Sequence, residues 1–328
     1  MSSRTALKQG MQLPGRIARR DAGVSLIELM VSLVIGSLLI IGAVTVYMQS
    51  RNTYRTNEAA ARLQETARYA LDVIEPDVRM AGFWGLTNRP EYVENQGTPA
   101  EAAQAVATGV TNNCGINWTV NAASYLDGRD QGNTGYNLGC AGTNPVAWSD
   151  VLIVRRASSA TTALTNGRFQ IQSNRIRAVI FKDGTLPGGF GVAPASETHD
   201  LIVDAYYVSE VLPSPGGVRQ FTLRRQTLNG NTVQDQDIIR GVEDLQVQFG
   251  VDVNGDDNAD QYVNTDAVPV GAQIVSVRVW LMVQAPDIEV GFVDGTDYAY
   301  ANTDPADFAD SRRRLLVSKT IQIRNSTL

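Results

Sequence analysis

The chain has 328 residues, of which 43% are hydrophobic and 19% are charged, a composition typical of a folded protein and not of a disordered one. Of its 28 basic and 34 acidic side chains, residues 1–23 hold five and one, so residues 24–328 carry 23 and 33 and a net charge of −10. Such an acidic body lacks the clustered Lys and Arg that phosphate backbones attract, which argues against direct nucleic-acid binding; it suits cations instead.

The amino terminus begins with a basic segment that ends at Gly23, and residues 24–48 after it carry a single charge, Glu28. At about 1.5 Å per residue, a helix of that length spans the ~30 Å core of a bilayer. An acid inside such a helix is costly and needs a partner. A cut after Gly23 would expose an α-amino group on Val24, which is a suitable cation for Glu28. The alternatives are an ordinary signal anchor and a cleaved secretory signal, but the apolar run exceeds the usual ~7–15 residues of a signal-peptide core.

The stretch RRDAGVSLIELMVSLVIG, residues 19–36, resembles the class III signal of type IV pilins and type II secretion pseudopilins. The resemblance implies that a prepilin peptidase removes residues 1–23 and N-methylates Val24. It also implies that Glu28 directs filament docking by meeting a neighbour's terminal amine. The leader is long for the family, so Met11 is an alternative start of translation.

The helical pattern continues through residues 49–82, where the apolar and small residues recur at three- and four-residue steps: Ala60, Leu63, Ala67, Ala70, Leu71 and Ile74. Pro76 is expected to kink or stop the helix, and Gly82 and Gly85 to end it. The stretch RLQETARYALDVIEPDVRMAGFWG, residues 62–85, resembles the PilW family of minor pilins. In that family the turn at its end is structural, so the aromatic pair Phe83 and Trp84 is expected to cover the helix end.

The expected fold is α+β, a pilin-like lollipop. A long amino-terminal helix, with a transmembrane half at 24–48 and an amphipathic half at 49–82, packs on a mostly antiparallel β-sheet body. Residues 83–148 are poor in apolar runs and rich in Gly, Asn, Thr and Ala, which indicates a loop-rich insertion, and residues 149–328 form the β-rich body.

Two cysteines, Cys114 and Cys140, lie in the loop-rich insertion. In an exported domain such a pair favours a disulfide, and two unrelated thiols are the alternative. Closing a loop of this size would stabilise the fold by about 3–4 kcal/mol in the chain-entropy model.

Short apolar or alternating segments separated by Gly- and Pro-rich turns predict the strands of the body. The predicted strands are DVLIVRR (150–156), RIRAVIFK (175–182), LIVDAYYVS (201–209), VRQFTLRRQ (218–226), DLQVQFGVD (244–252), QIVSVRVWLMVQ (273–284) and RRRLLVSKTIQIRN (312–325). One face of the sixth strand is predicted to be buried, comprising Val275, Val277, Val279, Leu281 and Val283. The segments at 240–260 and 312–325 also resemble PilW.

The acidic loop DVNGDDNADQY places oxygen-bearing side chains at every second residue: Asp252, Asn254, Asp256, Asn258 and Asp260. Oxygens at alternate positions of a tight loop can converge on Ca²⁺, which takes six to eight oxygen ligands. The loop is not an EF-hand, because Gly255 stands at the fourth position and Val263 replaces the final Glu. The alternative is a plain hairpin turn around Asn254 and Gly255.

No phosphate-binding loop, Cys/His cluster or nucleophile elbow occurs in the sequence, so we expect no enzymatic activity. The single histidine, His199, lies in the segment SETHD and is expected to be a polar surface residue of a loop. The run Arg312–Arg314 is expected to be a solvated start of a strand and not a binding patch.

The resemblance implies a minor pilin that sits in the bacterial inner membrane as a single pass, with its body in the periplasm, and then joins a cell-surface pilus. Its expected partners are the prepilin peptidase, other minor pilins, the major pilin and a tip adhesin. The resemblance implies that it belongs to the complex that primes pilus assembly, sits at the pilus tip and supports motility and adhesion. Calcium is the only cofactor considered. The alternatives are a J-type minor pseudopilin of type II secretion and a membrane-anchored periplasmic binding domain, and the latter predicts no processing at Gly23.

Overall fold

The computed structural model describes residues 23–95, 118–130, 142–191, 193–211, 219–306, 308 and 310–326. Residues 1–22 of the predicted leader and both cysteines, Cys114 and Cys140, lie outside the described residues. The chain divides into two compact units, Met1–Thr56 and Asn57–Leu328.

One long helix, α1, runs from Leu26 to Arg79. Pro76 lies inside it and does not stop the helix, which ends three residues later and before Gly82, where the sequence predicted its end. A proline lacks the N–H of one helical hydrogen bond, and the loss is confined to the last turn, where the N–H of Met80 still reaches the carbonyl of Pro76. Gly82 and Gly85 follow with φ of 74° and 85°, left-handed conformations that glycine adopts without steric cost.

The first sheet has eight strands, with the order β1-β5-β4-β6-β3-β2 and with β7 and β8 continuing from β6. Only the short pair β1–β5 is parallel, and the other pairs are antiparallel. The strands are β1 Val93–Glu94, β2 Leu126–Arg129, β3 Val151–Thr161, β4 Asn166–Ser173, β5 Ala178–Asp183, β6 Glu197–Val211, β7 Gln220–Asn229 and β8 Thr232–Arg240.

The second sheet has four antiparallel strands in the order β10-β9-β11-β14. These strands are β9 Val242–Asp252, β10 Gln261–Asn264, β11 Gln273–Gln284 and β14 Arg314–Gln322, and a separate two-stranded ribbon joins β12 Tyr298–Tyr300 to β13 Thr303–Ala306. The expected architecture of one long amino-terminal helix and a mostly antiparallel body is therefore confirmed.

The core of the second unit forms where the later turns of α1 meet both sheets. Leu63, Ala67, Ala70 and Ile74 are buried in one cluster with the predicted inner face of β11, which is confirmed as buried at all five positions. A second cluster lies on the opposite face of the eight-stranded sheet and includes Trp84, which is fully buried. Trp84, which was expected to cover the helix end, is therefore part of this second hydrophobic cluster.

Two expectations about polar residues are wrong. His199 lies within β6 and is 1% exposed, because its strand crosses the middle of the sheet and not a loop. In the Arg312–Arg314 run, the side chain of Arg314 is 1% exposed, since it forms ion pairs with Glu243 and Asp310. The sequence reasoning also missed strands β4 and β8, whose polar residues obscure any apolar alternation.

Candidate functional site

The start of α1 is fixed by a cap. Ser25 precedes the first helical residue, its Oγ accepts the backbone N–H of Glu28 at 3.2 Å, and its carbonyl accepts the N–H of Leu29 at 3.1 Å. A serine in this position satisfies N–H groups that have no partner inside the helix. The helix therefore begins at Leu26, three residues after Gly23, and places Glu28 in its first turn.

The apolar run that follows is exposed around its whole circumference. The large apolar side chains from Val24 to Met48 are each at least 49% exposed. This part of α1 is long and apolar enough to cross a membrane. Within the described part of the chain, the carboxylate of Glu28 has no ion-pair partner and lies among Ile27, Leu29 and their apolar neighbours.

Gly23 is not required by packing. A Cβ atom added there would meet nothing within 4 Å among the described residues, and the same holds for Gly36 and Gly42. Its backbone also lies outside the left-handed region, so another residue would fit the fold. Packing among the described residues therefore does not account for the glycine at position 23.

The other end of α1 is held by a buried charge cluster that the sequence reasoning missed. Asp77 in the last turns accepts hydrogen bonds from Arg156 of β3, at 2.6 and 3.1 Å, and from the hydroxyl of Tyr206 on β6. Lys319 of β14 binds Glu75 at 2.6 Å, and this hydrogen bond is the main cause that lowers the pKa of Glu75. The helix is thus tied to both sheets by side chains of opposite charge.

A signal for this cluster is present in the sequence. Asp77 continues the buried stripe of Leu63, Ala67, Ala70 and Ile74 at helical spacing, and a carboxylate on an apolar stripe needs a cation. Nearby, Asp204 of β6 is buried beside Arg225, whose Nε lies 3.7 Å from its Oδ1. Burial and the charge of Asp77 raise the pKa of Asp204 to about 6.

The acidic loop connects β9 to β10 in a hairpin, and its side chains bond mainly to its own backbone. Asp252 accepts the N–H groups of Asn254, Gly255 and Asp257 at 2.7–3.0 Å. The other candidate ligands make similar local bonds: Asp260 to the N–H of Val253, Asn254 to that of Asp256, and Asp256 to that of Asn258. Across the described ranges, no group of three or more His, Cys, Asp or Glu side chains is arranged to hold a metal ion. Calcium binding here stays a prediction.

His199 has a structural environment. Its Nδ1 lies 2.8 Å from the carbonyl oxygen of Ser158 and its Nε2 lies 3.3 Å from Glu197, while the ring of Phe83 meets it edge-on. Gly85 lies so close to the ring that an added Cβ would be 2.9 Å from His199 Cδ2. This histidine has no exposed face for a substrate.

Comparison with known families finds a match at the amino terminus. Residues 18–44 match the prokaryotic N-terminal methylation motif, which includes Gly23, Val24 and Glu28. The capped, exposed apolar helix begins at Leu26, within this motif.

A second family model matches part of the body. Residues 205–325, from the middle of β6 to just past β14, match the model of the Type IV Pilus-assembly protein W. Among solved structures, a type IV-like pilin, TTHA1219 from Thermus thermophilus, aligns at 15% identity over 56% of this chain and 82% of its own, with a TM-score of 0.28. No curated protein matches the chain.

Proposed function

We propose that this protein is a minor pilin of a bacterial type IV pilus. It is made with residues 1–23 as a leader, is anchored by residues 24–48 in the inner membrane with its body in the periplasm, and is cut after Gly23. It then joins other minor pilins and the major pilin in the complex that primes the filament, at or near the tip, where it supports motility and adhesion.

The proposal rests mainly on the position of Glu28 in the helix. Its carboxylate lies in the first turn of a membrane-length apolar helix, four residues after Val24. An unpaired carboxylate is expensive in an apolar medium. The methylated amine of Val24 on a neighbouring chain would neutralise it at the moment of docking, which makes the acid useful for assembly.

Intact mass measurement tests the proposal directly. The full chain is isolated from cells with and without prepilin peptidase, together with a Gly23→Ala variant. We expect a peptidase-dependent loss of residues 1–23 and one methyl group on Val24, and an uncut chain for the variant. An uncut wild-type chain, with full tolerance of Glu28→Gln, would instead indicate a membrane-anchored periplasmic domain.

Export has a consequence for the cysteines. We propose that Cys114 and Cys140 form a disulfide in the periplasm, because that compartment is oxidising and the protein has no other cysteine. Alkylation followed by intact mass measurement tests it. Without reductant the wild-type chain should take up no alkyl group, whereas a Cys114→Ser variant should take up one.

A further inference from the structure

One loop of the body exposes three large apolar side chains within six residues. Ile288, Val290 and Val293, which we call the apolar tip, are 60%, 95% and 65% exposed. They lie in the loop after β11, outside both core clusters. Single exposed apolar residues are ordinary, whereas clustered ones mark contact surfaces.

The loop that carries the apolar tip is fixed by its own polar contacts. The backbone N–H of Glu289 donates to Ser311 at 2.7 Å, and that of Asp294 donates to Asp310 at 2.8 Å. Arg313 binds the Glu289 carboxylate, with Nε 2.5 Å from Oε2, and its guanidinium lies 4.3 Å from the centre of the Phe292 ring. The exposed conformation is therefore set before any partner arrives, which lowers the entropy cost of binding.

The strand that leads into the apolar tip ends near the middle of the body's part of α1. Gln284, the last residue of β11, donates its N–H to Gly241 at 2.7 Å, and a Cβ at Gly241 would lie 3.8 Å from Thr66 of the helix. The last turn of the helix has a different neighbour, Arg324, whose N–H bonds to the carbonyl of Arg79. The loop of the apolar tip therefore begins at the end of β11 that lies near Thr66.

Charge defines the partner of the apolar tip. The tip is flanked by the exposed acids Asp287 and Asp297, while Arg313 is already paired with Glu289. Residues 24–328 carry a net charge of −10, so a second copy of this chain would be repelled. Complementary interfaces place basic groups against acidic ones.

We propose that the apolar tip docks into an apolar hollow bordered by Lys or Arg on the body of a different pilin subunit. The proposal rests on the proposed function, since it assigns the partner that a minor pilin would meet at this surface. It predicts a heteromeric contact made by three aliphatic side chains and oriented by two carboxylates.

Photo-crosslinking in the native cell tests the contact. A benzophenone amino acid replaces Val290 in the full chain, expressed together with the other pilins of its own system. The matched control carries the same probe at Val270, which is fully exposed and lies in a different loop, between β10 and β11. We expect a covalent adduct from position 290 with another pilin, mapped by mass spectrometry to a peptide beside Lys or Arg, and about tenfold less adduct from position 270.

Charge reversal separates a specific contact from apolar stickiness. The double substitution Asp287→Lys and Asp297→Lys should lower the adduct yield from position 290 by about fivefold or more, and changing the partner's bordering Lys or Arg to Glu should restore it. An unchanged yield, an adduct with a second copy of this chain, or an adduct with lipid would each overturn the proposal.

The same cells report on the proposed function independently. Intact mass shows whether residues 1–23 have been removed. A processed chain without the adduct overturns the docking proposal alone, whereas an unprocessed chain overturns the proposed function.

Discussion

The two parts of helix α1 differ in what stabilises them. From Val24 to Met48 the large apolar side chains are all exposed, whereas Leu63, Ala67, Ala70 and Ile74 are at most 5% exposed against the body. The later part is amphipathic and its place is fixed by the sheets of its own chain. The earlier part is apolar on every side and depends on surroundings that the chain does not supply. Substitutions in the earlier part should therefore change assembly, and those in the later part should change folding.

The largest expected effect is on assembly, from Glu28→Gln. The amide keeps the shape of the side chain but removes the charge that would meet a neighbour's amine. Because an ion pair in an apolar medium is worth more than about 1.4 kcal/mol, incorporation into sheared pili should fall at least about tenfold. Quantitative blotting of pilus and membrane fractions measures it.

The matched control for Glu28→Gln is Glu65→Gln, on the exposed face of the later part of α1. Both variants should unfold at the wild-type temperature. Equal incorporation of the two variants would show that the two parts of the helix do not differ in the way proposed here.

The next largest effect is on stability, from Asp77→Ala. The substitution leaves Arg156, whose side chain is 15% exposed, without its carboxylate. Breaking a buried pair in this way costs about 3–5 kcal/mol of the free energy of unfolding.

The control is Asp72→Ala, because Asp72 and Arg68 form an exposed pair at 3.6 Å, and the loss there should stay below about 1 kcal/mol. Urea unfolding of the full chain in detergent compares them, and similar midpoints would contradict the role assigned to Asp77.

A smaller effect concerns pH. Burial and the charge of Asp77 raise the pKa of Asp204 to about 6 in the folded chain, above its value when unfolded. Between roughly pH 4 and pH 6 the folded chain therefore binds more protons than the unfolded chain, so stability falls as pH rises, by up to about 3 kcal/mol. Asp204→Asn should reduce that slope and stabilise the chain at pH 7.

Burial raises the pKa of Asp244 to about 6 as well, so part of the slope should remain in the Asp204→Asn variant. Thermal unfolding at several pH values measures the difference between the two chains. Parallel curves for wild type and variant would show that Asp204 titrates alike in both states.

Features that depend on local sequence could be predicted, whereas burial that depends on distant partners could not. The apolar helix and the position of Glu28 within it depend on local sequence, so they were predicted correctly, whereas the cap at Ser25 was not foreseen. The inner face of β11 has a strict period of two and was also found. Asp77, His199 and Arg314 were missed or misplaced because their burial depends on partners that lie about 70 or more residues away, or in the case of His199 on a polar strand that resembles a loop.

The smallest expected effect comes from the acidic loop of the body. If Ca²⁺ binds there, Asp252, Asp256 and Asp260 exchange bonds to backbone N–H groups for bonds to the ion, so the net gain is modest. At tenfold excess over its dissociation constant, Ca²⁺ would stabilise the chain by about 1.4 kcal/mol. Calorimetry at millimolar Ca²⁺ should show heat for the wild type and for Asp266→Asn, an exposed acid outside the loop, but none for Asp252→Asn with Asp256→Asn. Absence of heat in all three would leave the loop as a hairpin whose carboxylates serve only to cap its own backbone.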